Sequence, residues 1–154
     1  MNKKIINKKF KTGFTLIELL VVISIIGILA ALTLVSYTGA QKQTRDTQRR
    51  SDLNQYRNAL ENYATSNSGL YPVSISSIDD LCGTGNPLDT GYIASCPADP
   101  IGGDDYGYGF YSSADGASYV IYAPLETGGY WEVCSEGKSG KVTSEPTDGT
   151  CDIT

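Results

Sequence analysis

Residues 14–35 read FTLIELLVVISIIGILAALTLV, 22 positions with a single charge, Glu18. A run this long and this apolar suits a helix that crosses a bilayer. It is greasy on every side rather than along one stripe, so it does not have the pattern of a helix packed on a core of its own chain. Upstream, residues 1–13 carry five lysines (Lys3, Lys4, Lys8, Lys9 and Lys11) and no acid. Downstream, residues 68–154 carry thirteen acids against Lys138 and Lys141, a net charge of −11. Lysines flanking an apolar span stay on the cytoplasmic side, so the acidic part is expected to cross.

The helical pattern does not stop at Val35. No Pro or Gly cluster intervenes, and residues 41–52 (QKQTRDTQRRSD) contain no large apolar side chain. Leu53, Tyr56, Leu60, Tyr63 and Ala64 then recur at helical spacing. One helix is expected from about Phe14 to Ser66, stopped by Asn67-Ser68-Gly69 and roughly 80 Å long. Only its last turns, within an amphipathic continuation over residues 41–68, have a face that can carry a globular head. The polar middle is expected to lack a partner in its own chain. Its cations Lys42, Arg45, Arg49 and Arg50, with Arg57 beyond, are read as facing acidic neighbours or water.

The rest, residues 69–154, is rich in turns. The chain has 17 Gly and 11 Tyr but only 3 Phe and 1 Trp, a composition suited to a small domain with amphipathic aromatics. Residues 69–104 read as a long loop. Within 105–154, strand-like runs at Tyr106–Tyr111, Ser118–Ala123, Tyr130–Cys134 and, more weakly, Gly140–Thr143 alternate with Ala114-Asp115-Gly116, Gly128-Gly129 and Glu136-Gly137. The expected class is α+β: a long N-terminal helix whose C-terminal half packs against a small antiparallel meander.

All four cysteines (Cys82, Cys96, Cys134 and Cys151) lie on the side expected to be translocated. An even count there points to disulfides, with free thiols or a zinc site as the alternatives. There is no C-x-x-C pair and no histidine, which weighs against zinc. Of the three possible pairings, Cys82–Cys96 with Cys134–Cys151 closes the shortest loops and is preferred. A Cys82–Cys96 bridge would tie the long loop.

Several chemistries are set aside. Without histidine there is no His-based triad or His metal cluster. The YGYGF run at 106–110 lacks the glycine-lysine ending and following helix of a phosphate loop. A head of this charge repels nucleic acid. Glu18 does need a reason, because a carboxylate inside an apolar span is costly. A plain membrane anchor tolerating an acid near the interface is one explanation. A secretory signal peptide cut near Ala30-Ala31 is another, although the apolar run continues past those alanines.

The residues around it favour a third. Lys11-Thr12-Gly13-Phe14-Thr15-Leu16-Ile17-Glu18-Leu19, continuing through Leu32 and including Gly27, resembles the class III signal of type IV prepilins and type II secretion pseudopilins. The head resembles that family less specifically, in Gly69-Leu70-Tyr71-Pro72, Pro97-Ala98-Asp99-Pro100 and Tyr106-Gly107-Tyr108. The resemblance implies the pilin fold. It also implies a leader, residues 1–13, removed after Gly13 by a membrane-bound prepilin peptidase that then methylates the amine of Phe14. Residues 14–40 become the transmembrane and assembly helix of a subunit that polymerises with its own copies and related pilins. The implied partners are the peptidase and an inner-membrane assembly platform protein. Glu18 of one subunit then neutralises the Phe14 amine of a neighbour, or of its own chain.

The implied function is structural, not enzymatic: a subunit of a type IV pilus or pseudopilus. It is held in the cytoplasmic membrane with its head outside, then assembled at the cell surface or in the periplasm. A minor tip pilin that binds a surface, DNA or a secreted substrate is the alternative, as is a membrane-anchored binding domain that does not assemble. Two departures stand out. Val35 occupies the position, eight residues after Gly27, where many type IV pilins have proline. The acidic calcium motif of the major pseudopilins is also not found cleanly. Asp99, Asp104 and Asp105 offer oxygen ligands, but they are read as turn and surface acids, so neither a metal nor another cofactor is expected.

Overall fold

The computed structural model describes residues 13–73, 75, 77–89, 91–102 and 107–153. The leader lysines, Asp104, Asp105 and the first strand-like residue, Tyr106, lie outside the described residues. The element order is α1 (Leu16–Ser66), α2 (Ile78–Leu81), then β1 (Gly109–Ser112), β2 (Tyr119–Pro124), β3 (Tyr130–Cys134) and β4 (Ser139–Val142). The chain divides into two compact units, residues 1–39 and 40–154.

In the first unit the helix is exposed at every position whose side chain is described. Leu16, Ile17, Leu20, Ile23, Ile28 and Leu32 all remain uncovered, as expected for side chains whose partner is lipid or another subunit. It is long and apolar enough to cross a membrane. It continues as helix through Val35.

The second unit holds the core. Residue 66 ends α1, and Gly69, at φ +82°, donates its N–H to the Ala64 carbonyl at 2.8 Å, so the Asn-Ser-Gly stop works as a left-handed cap. The four strands form one antiparallel sheet in the order β1-β2-β3-β4. Alternation along the strands sends Phe110, Tyr119, Ile121, Ala123 and Val133 to one face, where they meet Leu53, Tyr56, Ala59 and Leu60 of α1. The turns use glycine where the backbone requires it. At Gly129 (φ +72°) a Cβ would sit 2.5 Å from the Val142 carbonyl oxygen.

Two features were not expected. The loop region contains a short helix, α2, capped by the Ser77 hydroxyl, which accepts the Asp79 N–H at 3.2 Å; α2 buries Ile78 and Leu81. The other face of the sheet is also covered. The C-terminal tail, residues 143–153, crosses back over it. The Tyr122 hydroxyl donates to Glu145 at 2.8 Å, the Asp152 N–H donates to Glu132 at 3.0 Å, and Cys151 is bonded to Cys134. Val120, Tyr122, Glu132 and Cys134, all pointing away from the main core, are therefore buried.

Candidate functional sites

The N-terminal site is built on the start of α1. Phe14 is 90% exposed. Thr15 and Glu18 cap the helix reciprocally. The Thr15 N–H and hydroxyl donate to Glu18 Oε2 at 2.8 and 2.7 Å, and the Glu18 N–H donates to Thr15 Oγ1 at 3.3 Å. This is the S/T-x-x-E capping box, present in the sequence as T-L-I-E but not read as one. Both bonds accepted by the carboxylate fall on Oε2, so among the described residues Oε1 has no partner. Gly13 precedes the helix in irregular backbone, and a Cβ there would meet nothing within 4 Å.

The second constellation lies within the head and corrects an expectation. The polar middle of α1 does have partners in its own chain. Asp46, Arg49 and Asp52 are buried, and their spacing extends the stripe of Leu53, Tyr56 and Leu60 two turns toward the N-terminus. Arg49 Nε donates to Asp99 at 2.5 Å and Nη2 donates to the same carboxylate at 3.1 Å; Nη1 reaches Asp46 at 2.7 Å and Glu126 at 3.2 Å. Arg45 forms a fork on Glu126, both bonds 2.6 Å. Asp46 also accepts the N–H groups of Glu126 and Thr127 and the Thr127 hydroxyl, which fixes the β2–β3 turn against the helix. The Arg50 guanidinium lies 4.3 Å from the centre of the Trp131 ring.

The electrostatics follow from this packing. Burial alone would lower the Arg49 pKa, but its bonds to Asp99 and Asp46 raise it above the ordinary value. Burial pushes Asp46 up, and the donors from Thr127, Glu126 and Arg49 outweigh that and hold it low. The Arg45 fork holds Glu126 low as well. Asp52 behaves in the opposite way. Burial raises it, against the hydrogen bond it accepts from the Tyr108 hydroxyl at 2.8 Å.

Asp99, expected as a surface acid, is a nearly buried one whose oxygens accept from Arg49 and the Ile101 N–H. Cys82 is bonded to Cys96 and Cys134 to Cys151, so the structure joins the four cysteines as two short-loop bridges. Glu132, Cys134 and Cys151 bring potential ligand atoms within 4.8 Å of one another, yet both sulfurs are committed to each other.

The sequence family described as the prokaryotic N-terminal methylation motif matches residues 8–34. The type II secretion system core protein G of Escherichia coli (strain K12) is 34% identical over 140 residues, covering 86% of this chain and 86% of that protein. The protein of the same name from Aeromonas hydrophila is 36% identical over 102 residues, 62% of this chain and 71% of that one. The one from Vibrio cholerae is 30% identical over 118 residues, 73% and 78% respectively. No solved structure matches the chain.

Proposed function

The chain belongs to the family of the type II secretion system core protein G, the pseudopilins, and on that premise we propose that it is a structural subunit of a pseudopilus. Its N-terminal helix anchors it in the membrane before assembly and packs against neighbouring copies afterwards. The observation that carries this reading is the methylation motif at 8–34, which runs into a helix whose described apolar side chains are uncovered. A helix with that surface needs lipid or other helices around it.

The finer steps follow from the chemistry of the start of α1. A prepilin peptidase cuts after Gly13 and methylates the new amine of Phe14. The amine is positive and enters an apolar bundle, where an unpaired charge is costly. Glu18 already commits Oε2 to capping, which leaves Oε1 for the amine of a neighbouring subunit. The leader stays cytoplasmic, the acidic head faces away from the cytoplasm, and an inner-membrane platform protein feeds subunits into the filament. Oε1 is the atom that makes one axial stagger between subunits better than others.

Mass spectrometry of the N-terminal peptide, from sheared surface material and from membranes, tests the processing step. A methylated Phe14 terminus is expected. An intact Met1 start or a cut near Ala31 would sink it. For assembly, Glu18→Val is expected to be processed normally but to form few filaments. Thr15→Ala removes the two capping bonds made by the Thr15 hydroxyl while leaving the backbone N–H bond and the carboxylate, so it is expected to assemble. If both variants fail alike, Glu18 acts as a helix cap and the pairing role is wrong.

A further inference from the structure

The C-terminal tail closes over a buried carboxylate that no part of the pseudopilus reading uses. Glu132 on β3 is 0% exposed, and its Oε2 has no hydrogen-bond partner among the described residues. Its Oε1 accepts the Asp152 N–H at 3.0 Å and lies 3.2 Å from Cys134 Sγ. In the disulfide that sulfur has no proton to give, so the contact is a hydrogen bond only while Cys134 is a thiol. An acid placed in a covered sheet face with half its oxygens unpaired lowers stability. An apolar residue would pack there at less cost, so the position of this acid beside a redox-active sulfur asks for a chemical reason.

The two cysteines are not equivalent. Cys134 is 1% exposed in β3, whereas Cys151 is partly exposed on the tail. Both border a polar groove of about 360 Å³ walled by Ser118, Ser135, Lys138 and Thr150. Cys151 is therefore the more open of the two to an external disulfide. We propose that Glu132 is the internal base for closing the Cys134–Cys151 bridge, taking the proton of the Cys134 thiol as that sulfur attacks a mixed disulfide carried by Cys151.

The step balances. An oxidant of the disulfide class, R–S–S–R, first exchanges with Cys151, leaving Cys151–S–S–R and one released thiol. Cys134–SH passes its proton to the Glu132 carboxylate, and the thiolate attacks Cys151 Sγ. The Cys134–Cys151 bond forms, the bond to R breaks, and R leaves as a thiolate; the two cysteines are oxidised and the external disulfide is reduced. The Asp152 N–H bond to Oε1 holds the tail in place, which brings Cys151 alongside Cys134 as the proton moves. Burial, and then the nearby charge of Asp152, raise the pKa of Glu132, toward the range where a carboxylate is an effective base for a thiol. Among the described residues the Tyr122 phenol, its register partner on β2, also faces it, and that hydroxyl is donated to Glu145.

The test is oxidative refolding of the full chain in detergent micelles with glutathione disulfide as the oxidant. Free thiols are trapped at intervals and each bridge is followed by peptide mass. Cys82–Cys96 serves as the internal reference. In Glu132→Gln, Cys134–Cys151 is expected to close about tenfold more slowly or worse near neutral pH, with Cys82–Cys96 unchanged and Glu132→Asp partly restored. Equal rates in wild type and Glu132→Gln, or equal slowing of both bridges, would overturn the proposal. If Glu132→Gln does not fold, the wild-type pH profile decides. Conversion of the Cys151 mixed disulfide into the bridge that varies little between about pH 6 and 8 supports an internal base, whereas a rise in that step approaching tenfold per pH unit is that of an unaided thiol of pKa about 8.5 and rules it out.

Discussion

Arg49 shows how much one side chain can hold in a small head. It is 0% exposed, and its guanidinium joins its own helix, through Asp46, to the loop at Asp99 and the turn at Glu126. Truncating it leaves the buried Asp46 and Asp99 carboxylates without their cation, while Glu126 keeps its fork from Arg45. Arg49→Ala is therefore expected to cost about 3–5 kcal/mol, read as a shift in the denaturant midpoint of the tyrosine signal. Arg45→Ala should lose much less, because its side chain is 30% exposed and water can replace it. The pH dependence has a definite sign. Asp46 and Glu126 have folded pKa values below their ordinary values, so their contribution is complete above about pH 4–5 and is lost as pH falls through the lower, folded values. Asp52, whose folded pKa is raised, favours the fold at low pH and loses that contribution as pH rises through its folded value. An acid titration of wild type should lose stability below about pH 4, and the Arg49→Ala profile should be flatter there.

At the scale of elements, β1 and β2 depend on an absent side chain. A Cβ on Gly109 would sit 2.1 Å from the Tyr122 ring, which lies over it and stacks beside Tyr111 at 6.0 Å. Gly109→Val should displace that ring, break its bond to Glu145 and lower stability by about 1–3 kcal/mol, seen as a lower melting temperature with the β1–β2 pairing loosened first in hydrogen exchange. The long helix, the strands beyond the first and their glycine turns were legible because each follows a period or a turn rule that local residues obey. The start of β1 at Gly109 was not, since YGYGFY offers the same alternation two residues earlier. The stripe through Asp46, Arg49 and Asp52 carries no apolar side chain, so hydrophobic periodicity does not mark it, although its three-residue spacing does. The capping box is equally local, a Thr followed three residues later by Glu. Burial of the outer sheet face was not legible at all. It depends on where the tail runs, and no periodicity in residues 143–153 records that.

For the whole molecule, the division of labour along α1 has a measurable consequence. Every residue of the main core cluster lies between Leu53 and Val133, inside the unit of residues 40–154, and the buried ion network and both disulfides lie in that unit too. Among the described residues the first unit contributes none of these; the large apolar side chains described on its helix are uncovered. A chain cut to residues 40–154 should therefore fold as a water-soluble monomer. Its denaturant midpoint should match that of the full chain in detergent, and its Cys134–Cys151 bridge should still contribute roughly 3 kcal/mol. Gel filtration and denaturation of the two forms, with and without Cys134→Ser/Cys151→Ser, check this. Loss of the fold on truncation would mean that residues 14–39 contribute to the head, and the separation of anchor from head would fail. If the head folds alone, association belongs to the apolar helix, and changes in the head should alter stability without abolishing assembly. Changes confined to residues 14–39 should do the reverse.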